Sequence, residues 1–157
     1  MKKVYIASHY NKVNNFKEDI RYNLTNGKFV VENNDEKIII GNYEFIGAFY
    51  YNVNKKLNFN TKEIVEKDLS LIDKCDIFIG ITSEIESIGT TVEAIHAASR
   101  GKKTIIFIKE EETKYDLKSR YWFLIRMLQM YNDNIEYIVY NENNELINKI
   151  KYILGGK

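Results

Sequence analysis

The sequence predicts an α/β protein, a doubly wound sandwich on a mainly parallel sheet of five strands. Short apolar, β-rich runs alternate along the chain with helical patterns. Two of those runs, Ile77-Phe78-Ile79-Gly80-Ile81 and Thr104-Ile105-Ile106-Phe107-Ile108, are apolar on both faces, as strands inside a helix-covered parallel sheet must be. The length of 157 residues, with 45% hydrophobic and 29% charged side chains, supplies one core, so residues 1–157 are read as a single domain.

The elements follow in order. Val4 to Ala7 reads as a first strand and Phe16 to Leu24 as a helix ended by Asn26-Gly27. Phe29 to Val31 and Lys37 to Ile40 are strand candidates, while residues 41–60, with Tyr43, Phe45, Phe49, Tyr50 and Tyr51, form an aromatic-rich excursion without an assignment. Thr61 to Lys74 is a helix, Asp76 to Ile81 a strand, and Thr91 to Arg100 a helix closed by Gly101. Thr104 to Ile108 is a strand, Lys118 to Tyr131 a helix, Glu136 to Tyr140 a strand, and Asn144 to Leu154 a last helix. With no proline in the chain, glycine, asparagine and aspartate carry the turns. Asparagine is absent from 61 to 131, which marks that stretch as dense regular structure.

Composition excludes several function classes. A net charge of +1 gives no electrostatic footprint for a nucleic acid polymer or a membrane surface. No apolar run approaches the roughly 18 residues of a membrane span, and Met1-Lys2-Lys3 is not followed by the apolar stretch of a signal peptide. The lone Cys75 fits a reducing compartment, so a cytoplasmic location is expected. Two histidines and one cysteine argue against zinc. After the first strand stands Ala7-Ser8-His9-Tyr10-Asn11 rather than a glycine-rich fingerprint, and no P-loop occurs, so no cofactor is expected.

Ligands in such sheets sit beyond the carboxyl ends of the strands, which directs attention to Ser8, His9 and Tyr10 and to the segment from Thr82 to Glu93. Two acids break local rules. Asp68 lies between Ile64 and Ile72 in the apolar stripe of its helix, where lost hydration favours the protonated form; pairing or capping is the other use of such a residue. Glu93 fits a capping box with Thr90 as N-cap. The same first-turn position would keep it ionised and able to attack an electrophile. One ionised and one protonated carboxylate are what glycosidic cleavage requires. His96, one turn after Val92, reads as a helix-surface or core-edge residue, and Cys75 as inert.

The segments Glu66-Lys67-Asp68-Leu69, Cys75 to Gly80, Ser87-Ile88-Gly89-Thr90-Thr91-Val92-Glu93-Ala94, Ala97-Ala98 and Gly101-Lys102, together with Val4 to Ala7, resemble the nucleoside 2-deoxyribosyltransferase family. The resemblance implies a flavodoxin-like fold and assigns Glu93 as nucleophile, Asp68 as proton donor to the departing base, and Tyr5 as the hydroxyl that orients the nucleophile. It places Tyr10 beside the base, and Asn134 in the neighbouring subunit's site against the sugar 5′ end. With Ser8, His9 and Gly89, these are the candidate substrate contacts. Transferases usually carry Asp where this chain has Ser87. A serine there is similar to the sister group, the 2′-deoxynucleoside 5′-phosphate N-hydrolases, with Ser119 as a further phosphate contact. Those hydrolases place an arginine where Asn11 stands here.

The implied reaction is double displacement on 2′-deoxynucleosides with a second free nucleobase as acceptor, in a homodimer or larger homo-oligomer whose subunits share the site. Hydrolysis of deoxynucleoside monophosphates is the alternative. A non-catalytic nucleotide sensor is another, although a binder has no need for Tyr5, Asp68 and Glu93 together. The helix from Lys118 to Tyr131 is apolar in nearly every direction, which fits a second subunit as its cover.

Overall fold

The computed structural model describes residues 1–8, 30–32, 35–46, 61–82, 88–110 and 122–155. Its strands are β1 (Lys2–Ser8), β2 (Val30–Glu32), β3 (Asp35–Ile40), β4 (Tyr43–Phe45), β5 (Ile77–Thr82), β6 (Lys103–Lys109) and β7 (Ile135–Tyr140). Its helices are α1 (Thr61–Lys74), α2 (Ile88–Ser99), α3 (Trp122–Tyr131) and α4 (Asn143–Ile153). The helix expected at Phe16 to Leu24 and the start of that expected from Lys118 lie outside the described residues.

The sheet order is β2-β3-β4-β1-β5-β6-β7. Five strands, β4-β1-β5-β6-β7, run parallel, as the sequence predicts, and β3 and β2 extend them antiparallel at one edge. The fifth parallel strand is β4, which comes out of the unassigned aromatic stretch. It follows β3 through the two-residue loop Gly41-Asn42, with Ile40 paired to Tyr43. Such hairpin loops need a left-handed residue, and Gly41 supplies it at φ 57°.

Alternation along the strands separates two cores. Val4, Ile6, Ile79, Ile105 and Phe107 face α4, which contributes Leu146, Ile147 and Ile150. Tyr5, Phe78 and Ile106 face the other side, under Ile72 of α1, Ala94, Ala97 and Ala98 of α2, and Leu124 and Leu128 of α3. Small alanines bring α2 close to the sheet, and Gly80 beneath it is part of that fit. A Cβ on Gly80 would stand 2.9 Å from Ile106 Cδ1 and 3.4 Å from Thr90 Cγ2. At its far end α2 closes in a Schellman turn. Gly101, at φ 69°, donates to Ala98 O at 2.9 Å, and Lys102 donates to Ala97 O at 3.0 Å.

Two local expectations need correction. The sequence places Val65 with Ile64, Leu69 and Ile72 in the apolar stripe of α1; Leu69 and Ile72 do pack inward, with Leu71 beside them, but Val65 is 55% exposed. Successive helical residues step by 100°, and Val65 falls just outside the inward stripe. The second concerns α2, which starts at Ile88, so Thr90 is its third residue rather than its N-cap. No helix among the described residues is long and apolar enough to cross a membrane.

Candidate active site

Strand order reverses between β1 and β5, because the chain leaves β1 towards β4 and leaves β5 towards β6. Their carboxyl ends bound the crevice in which doubly wound proteins hold ligands. β1 brings Tyr5 and Ser8 to this region, and the segment after β5 leads into the first turn of α2.

Tyr5 is fully buried and its ring stacks on Phe78, with centroids 5.8 Å apart and planes 12° apart. That packing fixes the ring in one orientation, and its hydroxyl emerges under α2. There Tyr5 Oη donates a hydrogen bond of 3.1 Å to Glu93 Oε1. The pair joins residues 88 positions apart in sequence and depends on the β1–β5 pairing, in which Tyr5 lies opposite Phe78.

Glu93 is half-buried and is the sixth residue of α2. It therefore stands in the second turn, beyond the reach of the helix N-terminal charge, which fades within the first turn. The capping-box reading also fails, since it requires Thr90 at the N-cap. Thr90 is instead buried against the sheet, 4% exposed, with its methyl group over Gly80. The tyrosine hydroxyl, not the helix terminus, is what meets the Glu93 carboxylate.

Asp68 is half-buried on α1, one turn before the buried Ile72. The helix thus presents a carboxylate on the side that packs inward. Just past the helix end, burial pushes the Cys75 thiol up to about 11, so it stays protonated and unreactive at neutral pH.

Ser8 closes β1. Strand alternation puts it on the face of Val4 and Ile6, opposite Tyr5. It is 6% exposed, and among the described residues its Oγ has no hydrogen-bond partner. Gly89 is exposed in the first turn of α2, and among the described residues a Cβ there would meet nothing within 4 Å.

Asn134 does not join this set within one chain. It is exposed just before β7, with its carbonyl accepting from Thr104 N at 3.0 Å and its amide donating to Asn132 Oδ1 at 2.7 Å. The rows of the sheet align Tyr5 with Phe78, Thr104 and Ile135, so Asn134 is three strand spacings away, about 14 Å. His9, Tyr10, Ser87 and Ser119 lie outside the described residues. No group of three or more His, Cys, Asp or Glu side chains among the described residues is placed to hold a metal ion.

No family model and no curated protein matches the sequence. Solved structures do match the shape. The chain is similar to the CMP N-glycosidase BcmB of Clostridium botulinum, with a TM-score of 0.62 and 24% identity over 97% of this chain and 99% of that one. It is also similar to a conserved protein from Enterococcus faecalis V583, with a TM-score of 0.56 and 14% identity over 98% and 99% of the two chains. A third likeness, at a TM-score of 0.50 and 13% identity, is to 34% of translation elongation factor SelB from Methanococcus maripaludis, solved with a GTP analogue. These matches establish the fold. Because that fold serves an N-glycosidase and a protein that holds a GTP analogue, the chemistry has to be argued from the side chains.

Sequence reasoning put Tyr5, Asp68 and Glu93 forward, but the contact between the first and third comes from the fold. It missed the partner of His96. That ring is bonded to Asp73 at 2.8 Å, across two helices.

Proposed function

We propose that this chain breaks the N-glycosidic bond of a nucleoside or its 5′-monophosphate, with Glu93 as nucleophile. The observation that carries this reading is the 3.1 Å hydrogen bond from the buried Tyr5 hydroxyl to Glu93 Oε1. It fixes a carboxylate on α2, the helix that begins beyond the carboxyl end of β5, where the fold holds ligands. A structural carboxylate at a helix surface needs no such support from a buried strand residue.

The chemistry runs in two displacements. A Glu93 oxygen attacks C1′ as the bond from C1′ to the base nitrogen breaks, and the bonding pair leaves with the base. Asp68 supplies the proton that the departing base takes up. The product of this step is a glycosyl ester on Glu93, reached through an oxocarbenium-like transition state. In the second step a nitrogen of another base attacks C1′ from the opposite side as the ester bond to Glu93 breaks, Glu93 leaves as carboxylate, and Asp68 takes back the proton that the base nitrogen gives up. The anomeric configuration is retained.

Transfer to a second base is the reading that Tyr10 and Asn134 favour, through their match to the deoxyribosyltransferases. Since Asn134 is remote from Tyr5 in its own chain, that role needs a second subunit. Hydrolysis of a nucleoside 5′-monophosphate is the second reading. Ser87, standing where transferases carry Asp, favours it, and so does the shape shared with a CMP N-glycosidase over nearly the whole of both chains.

Incubation with deoxyinosine and free adenine tests transfer through the appearance of deoxyadenosine. Incubation with deoxynucleoside monophosphates or CMP tests hydrolysis through release of sugar phosphate. Glu93→Ala should abolish both, and intact mass of wild type with substrate and no acceptor should reveal a pentosyl adduct that the variant lacks. Retention of more than a few per cent of activity in Glu93→Ala would remove the nucleophile assignment.

A further inference from the structure

The two helices that bear Asp68 and Glu93 are tied together a short distance from both. α1 runs towards the amino-terminal edge of the sheet, where Cys75 and Asp76 lead into β5. α2 runs the same way and ends at Gly101 before β6. They are neighbours that point in one direction, and their last turns meet at that edge.

There His96 Nε2 of α2 lies 2.8 Å from Asp73 Oδ1 of α1. Arg100 Nε approaches the same oxygen at 3.4 Å, and Lys102 Nζ donates to the Asp73 carbonyl at 2.7 Å. The last turn of α1 is thus gripped by three side chains, all from α2 and the turn that closes it. Asp73 is itself 45% exposed; of the two that reach its carboxylate, Arg100 is 59% exposed and His96 only 20%. The less exposed and shorter contact, 2.8 Å against 3.4 Å, is the one that loses less to solvent and holds its geometry better.

Glu93 precedes His96 by three residues and Asp68 precedes Asp73 by five. At the helical rise per residue, the two carboxylates stand about 4.5 Å and 7.5 Å along their helices from the contact, on the side towards the crevice. No loop lies between the contact and either acid. A slide or roll of α1 against α2 therefore changes the separation of Asp68 and Glu93 directly.

We propose that the His96–Asp73 contact keeps α1 and α2 in register, making His96 a positioning residue for the Asp68 and Glu93 pair. The proposal rests on the glycosidic reading above. His96→Ala removes the contact, and His96→Gln keeps an amide donor near the place of Nε2. Amide hydrogen exchange of residues 70–74 reads the contact without any reference to activity. It should quicken on the order of tenfold in His96→Ala and return towards wild type in His96→Gln. Steady-state rates should show kcat lowered about 10- to 100-fold in His96→Ala at nearly constant KM, since misplacement rather than lost binding is the defect. His96→Gln should recover most of that loss.

Unchanged exchange in His96→Ala would overturn the brace. Quickened exchange with kcat unchanged, or kcat lost equally in the Ala and Gln variants, would overturn the positioning role. A wild-type protein that splits no nucleoside or nucleotide would instead overturn the glycosidic reading, and exchange alone would then decide whether the brace exists.

Discussion

Removing one oxygen from Tyr5 separates its support of the fold from its support of Glu93. Tyr5→Phe retains the ring that stacks on Phe78 and deletes only the hydroxyl that reaches Glu93 Oε1 at 3.1 Å. Because the ring stays fully buried, the packing contribution is preserved and the stability cost is that of one hydrogen bond to a charged group, about 1.5–3 kcal/mol. In a chain of this size that lowers Tm by about 3–12 °C. The catalytic cost draws on the same bond and has the same ceiling. If the bond is needed in full to aim Glu93 at C1′, kcat falls by about 10- to 160-fold. The assay compares single-turnover adduct formation by mass with thermal unfolding of the same samples. A variant within twofold of wild-type adduct rate would refute the claim that the hydroxyl aims the nucleophile. So would a rate loss no greater than the unfolded fraction explains.

Asp68→Asn should fold normally and lose most activity with natural bases, while substrates with activated leaving groups are spared; equal losses for both, measured as kcat/KM, would make Asp68 structural. Gly80→Ala should destabilise by about 1–3 kcal/mol in urea unfolding, because its Cβ would stand 2.9 Å from Ile106 Cδ1 and 3.1 Å from Phe78 Cε1 in the buried layer under α2. Cys75 should resist iodoacetamide in the folded protein at pH 8 and react in urea, as followed by mass. Burial raises its folded pKa from 9.0 to about 11. Stability should therefore hold below pH 9 and be lost as pH rises through about 9 to 11, where the unfolded thiol releases its proton first. A Cys75→Ser variant with the same alkaline profile would rule that cause out.

The parts of the fold governed by local pattern were readable from the residues. Thr61 to Lys74 has the predicted bounds because its acidic start, basic end and apolar stripe all agree. β5 is buried at every position, as a run apolar on both faces requires. What escaped was decided elsewhere. β4 has only three residues and sits among aromatics with no alternation to mark it, although Gly41-Asn42 between two apolar runs was a hairpin signal. The start of α2 was misplaced because Gly89 and Thr90 read as a boundary, whereas Thr90 packs inward over Gly80. Asp68 and Glu93 were visible as acids in unusual positions. The Tyr5–Glu93 bond and the His96–Asp73 bond were not, because each depends on which strand or helix lies next to which. The burial of Ser8 is of the same kind, since burial of a strand end is a property of the assembled sheet.

The strand at the centre of the sheet precedes every other described strand along the chain. β1 pairs with β4 on one side and with β5 on the other, and Tyr5 meets a residue 88 positions later. At translation rates of 5–20 residues per second, the start of the chain precedes Glu93 by about 4–18 s. Between the completion of β4 at Phe45 and that of β5 at Thr82, β4 can cover one edge of β1 as its parallel neighbour, while the edge reserved for β5 stays unpaired. Val4 to Ala7 is therefore an apolar template open to other nascent chains, and a product cut short before residue 77 would keep it open permanently.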